Sequence, residues 1–231
     1  MPNRNRDLLP VAPDPDGFNP KARIPFGLNT NHVLAAMLEF TEFLRLVDGS
    51  LIRKRIPRLE DMLMPANFSS IVGEFMASSI PKYCKTIVKN RYHNGHPDML
   101  PAGKYKDDMA QHAGADGIEV KGSRYLRGWQ GHNAEDAWLM VFMFESSRPA
   151  DKGKGIPPKP FRFLMVAGAL LKKGDWLFAG RTGESRRTIT ASVTRSGYEK
   201  MLANWIYKCE RLREGKDVLV LGNTEERQLP D

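Results

Sequence analysis

Two carboxylates and an ammonium group meet in one stretch of this 231-residue chain: His96-Pro97-Asp98 opens it, and Asp116-Gly117-Ile118-Glu119-Val120-Lys121 closes it. A loop containing Pro and Gly separates Asp98 from Glu119, so a strand hairpin could bring both acids to one point. A strand alternates its side chains, which sets Glu119 and Lys121 on one face and turns Val120 into the core. Hard oxygen ligands beside a cation suit a divalent ion and a phosphodiester. Asp98 and Glu119 would hold Mg²⁺ and leave room for water and a phosphate oxygen, while Lys121 would neutralise the reacting phosphate or orient the attacking water. No covalent nucleophile is needed.

Composition bounds this idea. The formal net charge is +8 and 41% of the residues are hydrophobic, which describes an ordinary globular chain with a polyanionic partner. One domain is the default at this length. No apolar run is long enough to span a bilayer, and the first residues do not have the apolar segment of a secretory signal. A location in the cytoplasm and no membrane partner are the expectations. Cys84 and Cys209, the only cysteines, belong to no CxxC pair, so neither a disulfide framework nor a Cys-rich zinc site is expected.

The elements that must position the acids follow from periodicity. Residues 1–28, with six prolines, predict an extended arm that is a disordered end or touches DNA or a second subunit. Leu34, Met37, Leu38, Leu44 and Val47 predict an amphipathic helix over 31–47, capped by Thr30 or Asn31 and stopped by Gly49. After a short turn near 59–64, a second helix over 67–80 buries Ile71, Val72, Phe75 and Met76, which places Glu74 on or beside the buried stripe. That acid is either a structural salt bridge or a third group at the metal. Residues 83–91 read as helix or strand alike. The run Trp-Leu-Met-Val-Phe-Met-Phe at 138–144 predicts a central strand covered on both faces. Further strands are expected at 161–171, 176–180 and 188–194, then a helix over 197–213 and a last strand at 218–221. Between 147 and 200, twelve Lys and Arg stand against four Asp and Glu, so the basic excess is local.

Pro97-Asp98 followed by Glu119-Val120-Lys121 resembles the PD-(D/E)XK nuclease superfamily, most closely its type II restriction endonucleases. The order of elements over about 67–222 is similar to that superfamily's αβββαβ core. The resemblance implies an α/β (α+β) fold with a mixed central β-sheet flanked by helices, and a nuclease domain over 29–231. It implies Asp98, Glu119 and the Val120 carbonyl as metal ligands, Lys121 as the catalytic lysine, and Glu74 as an acid that only some members use. One or two Mg²⁺ per site are implied, with Mn²⁺ able to substitute. Residues 145–194, which the family core does not contain, are taken as an insertion of the kind that carries target recognition.

Just beyond the motif, Ser123, Arg124, Arg127, Gln130 and His132 form a polar and basic cluster where double-stranded DNA would lie, and Arg181, Arg186 and Arg187 form a second basic loop. Arg, Gln and Asn can read bases, though most such contacts go to phosphates. Gly131-His132-Asn133 is similar to part of a ββα-metal nuclease, but the Cys pairs or later His that would complete that site are absent. His96 is expected to set the turn at Pro97 or to bond Asp98. The implied activity is Mg²⁺-dependent restriction of duplex DNA by a homodimer, whose two-fold axis would match a palindromic site. A structure-selective repair or anti-phage nuclease of the same fold, and a non-catalytic DNA-binding protein, are the alternatives.

Overall fold

In a computed structural model, the structure describes residues 8–131, 134–178 and 191–215. The fold is of the mixed α+β class expected, with helices flanking a mixed central sheet. The long helices α1 (Thr30–Arg53) and α3 (Pro65–Tyr83) are joined by a single helical turn, α2 (Leu59–Met62). Six strands form the sheet in the order β1 (Ile87–Lys89), β2 (Met99–Pro101), β3 (Ile118–Ser123), β5 (Ala137–Glu145), β6 (Arg162–Leu171) and β9 (Trp205–Lys208). Only β3 and β5 run parallel. A second sheet, in the order β4 (Gln130–Gly131), β8 (Ala191–Val193) and β7 (Trp176–Phe178), is wholly antiparallel.

As its unbroken apolar run predicts, β5 is buried on both faces. Trp138, Met140, Phe142 and Phe144 enter the core shared with α1 and α3, while Leu139, Val141 and Met143 join Trp129, Trp176 and Met201 on the other face. That second face is covered by the small sheet and by α4 (Arg195–Ala203). A parallel pair needs a crossover of a dozen or so residues, commonly a helix. Here residues 124–136 make it, with no helix among the described ones, and Trp129 plugs the second core from this loop.

Several boundaries differ from those the sequence predicts. Gly49 does not stop α1, which is capped by Asn29 rather than Thr30 or Asn31 and runs on to Arg53. A helix-interior glycine costs only about 1 kcal/mol, and buried Asp48 secures the last turns by accepting from the Leu59 amide at 2.9 Å. The helix predicted over 197–213 is three elements: α4, β9 and a single turn α5 (Glu210–Arg213). The Trp-Ile-Tyr-Lys segment adds a strand to the edge of β6, and that pairing overrides its helical spacing. The ambiguous stretch at 83–91 contains β1. Within the supposed insertion, β6 is an integral strand of the central sheet, whereas β7 and β8 belong to the small sheet. The strand predicted at 218–221 lies outside the described residues. So do the ends of those predicted at 176–180 and 188–194.

The described part of the proline-rich segment, residues 8–28, lies on the body of the protein: Val11 bridges to Arg162 and Phe18 to Tyr207. Asn19 Nδ2 donates to the Trp205 carbonyl at 2.9 Å. Buried Arg58 clamps the start of this segment, donating to the Leu8 and Lys159 carbonyls at 3.0 and 3.1 Å and to Ser147 Oγ at 2.9 Å.

Beside Arg58, Glu60 is fully buried, and neither of its oxygens has a well-formed hydrogen bond although Arg58 Nη1 lies 3.0 Å away. Burial, only partly offset by Arg58 and reinforced by Asp48, pushes its pKa from the ordinary 4.5 up to about 8. A carboxyl kept protonated by the fold contributes no penalty below its ordinary pKa and an increasing one as pH rises to about 8. At about 1.4 kcal/mol per pH unit, this withdraws up to on the order of 4 kcal/mol across that window. Glu60→Gln is therefore expected to raise the thermal midpoint at pH 8 and to leave it nearly unchanged at pH 5. A midpoint equally shifted at both pH values would refute the protonated assignment.

Candidate active site

The geometry of the site follows from where β2 stops pairing with β3. Among the described residues the two strands share one register pair, Met99 with Ile118. At the next rung the Asp98 side chain takes the place of a partner strand, its Oδ2 accepting from the Val120 amide at 2.7 Å. Because the N–H and C=O of a strand residue point to the same edge, the Val120 carbonyl is directed towards the Asp98 side as well. Val120 itself is buried in the core under α3, as the alternation requires.

Glu119 and Lys121 share the opposite face. Lys121 Nζ lies 2.6 Å from Glu119 Oε1, and His96 Nδ1 approaches Glu119 Oε2 at 3.5 Å. His96 therefore addresses Glu119, not Asp98 as the sequence suggests. Three charged side chains thus converge with Asp98 on one wall of a cleft of about 580 Å³, whose other walls include Glu74, Lys89 and the loop from Tyr92 to Gly95.

The two acids differ electrostatically. Burial opposes ionisation of Glu119, but the His96 hydrogen bond and the Lys121 charge outweigh it and hold the pKa down to about 2. Asp98, desolvated and facing the Glu119 charge, is pushed up to about 7. Burial works against protonation of Lys121, yet Glu119 and Asp98 together raise its pKa. His96 is raised as well, chiefly by its bond to Glu119. The wall therefore holds one firm anion, one firm cation and a second acid whose ionisation a further cation would favour.

Asn90 anchors the strand that carries Asp98, a role its position in the sequence gave no sign of. Its Nδ2 donates to the Pro97 and Ala110 carbonyls at 3.0 and 2.7 Å, and its Oδ1 accepts from the Tyr92 and Ala110 amides at 3.1 Å. Its own amide donates to the Asp98 carbonyl at 2.8 Å. On the other flank, α3 crosses β3 where Gly73 faces Gly122; a Cβ on Gly122 would collide with the Ser69 carbonyl. This close crossing brings Glu74 to the cleft. Glu74 is 68% exposed and paired with Lys89 at 3.1 Å, so it is a rim residue and not part of a buried stripe.

The remaining residues are dispersed. Ser123 Oγ closes a local turn, donating to the Tyr125 carbonyl and accepting from the Tyr125 amide at 3.0 Å. The Arg124 guanidinium is inserted between the Phe68 and Phe144 rings, 5.2 and 5.1 Å from their centroids, and donates to the Ser146 carbonyl at 3.1 Å. Burial and nearby Arg148 lower its pKa to about 10, so it stays charged while serving the core. Arg127 is exposed on the crossover loop. Gln130 reaches Ser192 Oγ at 3.4 Å across the small sheet. His132, Arg181, Arg186 and Arg187 lie outside the described residues.

Two carboxylates and one main-chain carbonyl fit a Mg²⁺ ion, which keeps several waters and takes only one or two protein carboxylates. No cluster of three or more His, Cys, Asp or Glu side chains among the described residues is arranged to hold a metal by itself. Likewise, none of the helices among the described residues is long and apolar enough to cross a membrane. No family model, curated protein or solved structure matches this chain.

Proposed function

We propose that this protein is a Mg²⁺-dependent endodeoxyribonuclease that hydrolyses phosphodiester bonds of duplex DNA at a specific site, in the manner of a type II restriction enzyme. The observation that carries this reading is the convergence of Asp98, Glu119 and Lys121 where β2 leaves β3, with Lys121 Nζ 2.6 Å from Glu119 and Asp98 bonded to the Val120 amide. The net charge of +8 supports a polyanionic substrate.

Asp98, Glu119 and the Val120 carbonyl would hold the ion, which when bound supplies Lewis acidity and a water of lowered pKa. Lys121 remains protonated and offers its ammonium to the charge that develops on the phosphate. Glu119 holds that ammonium in place, and His96 restrains the other oxygen of the same carboxylate. Lys89, on the cleft rim beside Glu74, is a further cation for the DNA backbone. Cutting both strands at one site calls for two such centres, most economically in a homodimer with two-fold symmetry. Leu38 and Leu46, exposed on α1, are candidates for that contact.

A structure-selective nuclease is the second reading, favoured by an apolar cleft that adjoins Lys121 on the side away from Asp98. Supercoiled plasmid incubated with protein and Mg²⁺ separates the cases. Discrete linear fragments are expected, and Lys121→Ala should slow cutting by on the order of 10²–10³-fold. Plasmid that stays supercoiled in both Mg²⁺ and Mn²⁺ would replace this reading with a DNA-binding protein in which Asp98, Glu119 and Lys121 form a structural ion cluster. Equal cutting by the variant would remove Lys121 from the chemistry.

A further inference from the structure

Beyond Lys121 a second cleft, of about 440 Å³, continues along β3 between the first turn of α3 and the crossover loop. The two clefts share Lys121. Met64, Pro65 and Ala66 form one wall, Tyr125 and Gln130 stand on the other, and Gly122 leaves the floor without a side chain. The size lies within the range of roughly 300–1,000 Å³ that accepts small ligands.

We propose that this cleft receives the base of an unstacked nucleotide next to the phosphate held at Lys121, with Tyr125 as the stacking surface. The inference rests on the nuclease reading and deepens it, because it assigns the neighbouring base as a determinant of substrate choice.

Three features point to a base and not to a second phosphate. The first is charge: apart from Lys121, the cationic side chain of this cleft is Arg124, and its guanidinium is turned into the protein between Phe68 and Phe144. What remains is an apolar wall, with Met64 69% exposed at its rim. The second is rigidity. The Tyr125 carbonyl accepts from Ser123 Oγ and from Trp129 Nε1, both at 3.0 Å, and its amide donates back to Ser123. A clamped backbone presents the ring at little entropic cost, as a platform for stacking requires. The third is spacing: from Lys121 to Ser123 the strand advances about 6.6 Å, roughly twice the 3.4 Å step of stacked nucleotides. A base at that distance from the held phosphate has left its stack. Gln130 is placed to meet its polar edge, because the amide's 3.4 Å contact with Ser192 is long enough to exchange.

The test measures binding of short fluorescently labelled duplexes by anisotropy, with Ca²⁺ in place of Mg²⁺ and a single mismatch moved along the duplex. A mismatch lowers the cost of unstacking, so binding should tighten by about 10-fold at one position and be flat elsewhere. Tyr125→Phe should keep that gain and Tyr125→Ala should erase it. Met64→Glu, at an exposed rim position where folding is not at stake, should erase it as well. A flat scan, or a full gain retained by both Tyr125→Ala and Met64→Glu, overturns the base cleft. Since the scan needs no cutting, an inert plasmid assay would remove the nuclease reading while this measurement still decides what the cleft binds. Normal cutting with a flat scan would remove the cleft alone.

Discussion

Glu119→Gln is expected to reduce Mg²⁺-dependent cutting by at least about 10²–10³-fold while leaving the fold nearly as stable as before. The carboxylate holds the Lys121 ammonium at 2.6 Å on one oxygen and faces His96 on the other, so the amide removes an ion ligand and frees the lysine at once. Stability responds differently because two changes oppose each other. Lys121 loses its closest partner, but Asp98 loses the neighbouring negative charge that, after burial, does most to push its pKa up to about 7. Lys121 keeps the Asp98 attraction, which also raises its pKa. Plasmid cutting beside a thermal melt reads both quantities. A variant that cuts as well as the parent would take Glu119 out of the reaction. A variant that loses activity only because its melting midpoint collapses would make the residue structural.

The part of the site carried by strand alternation was legible in the sequence. Glu-x-Lys on a strand with an apolar residue between them has one placement when one face is buried, and Val120 lies in the core while Glu119 and Lys121 meet. The same logic read β5, whose length and unbroken apolar character leave no face for solvent. Partners distant along the chain were less legible. Met201 to Cys209 has helical spacing, but the free edge of β6 turned part of it into β9. Arg124 looked like a phosphate contact by type and position; only the meeting of Phe68 from α3 with Phe144 from β5 makes it an internal cation. Glu74 reads as inward from the apolar spacing of its helix, yet the close crossing at Gly73 and Gly122 sets it at the cleft rim. Asn90 gave no signal, because its hydrogen bonds go to main-chain groups whose positions the sequence does not reveal.

Asn90 is also where the site is most vulnerable to a change that touches no charged group. Its amide satisfies four buried or partly buried main-chain contacts, from the Tyr92 amide, the Ala110 amide and carbonyl, and the Pro97 carbonyl. Asn90→Ala deletes all four, and each stranded buried group costs about 1–3 kcal/mol; water reaching the Tyr92 end brings the expected total loss to roughly 3–5 kcal/mol. The strand from His96 to Asp98 then loses a side anchor beside its remaining amide-to-carbonyl bond from Asn90. Asn90→Asp separates shape from hydrogen bonding. The aspartate retains acceptance from the two amides but sets an oxygen against the Pro97 and Ala110 carbonyls, where the amide had donated. Despite its near-identical size it should therefore destabilise about as much as alanine at neutral pH. Chemical denaturation gives the stability loss, and the ratio of kcat to KM losses on plasmid DNA tells whether Asp98 has moved. A fall mainly in kcat is expected if Asn90 positions the acid, because binding of the DNA backbone does not depend on it. An aspartate variant as stable as the parent would mean that Asn90 does not donate to these carbonyls, and the anchoring role would go with them.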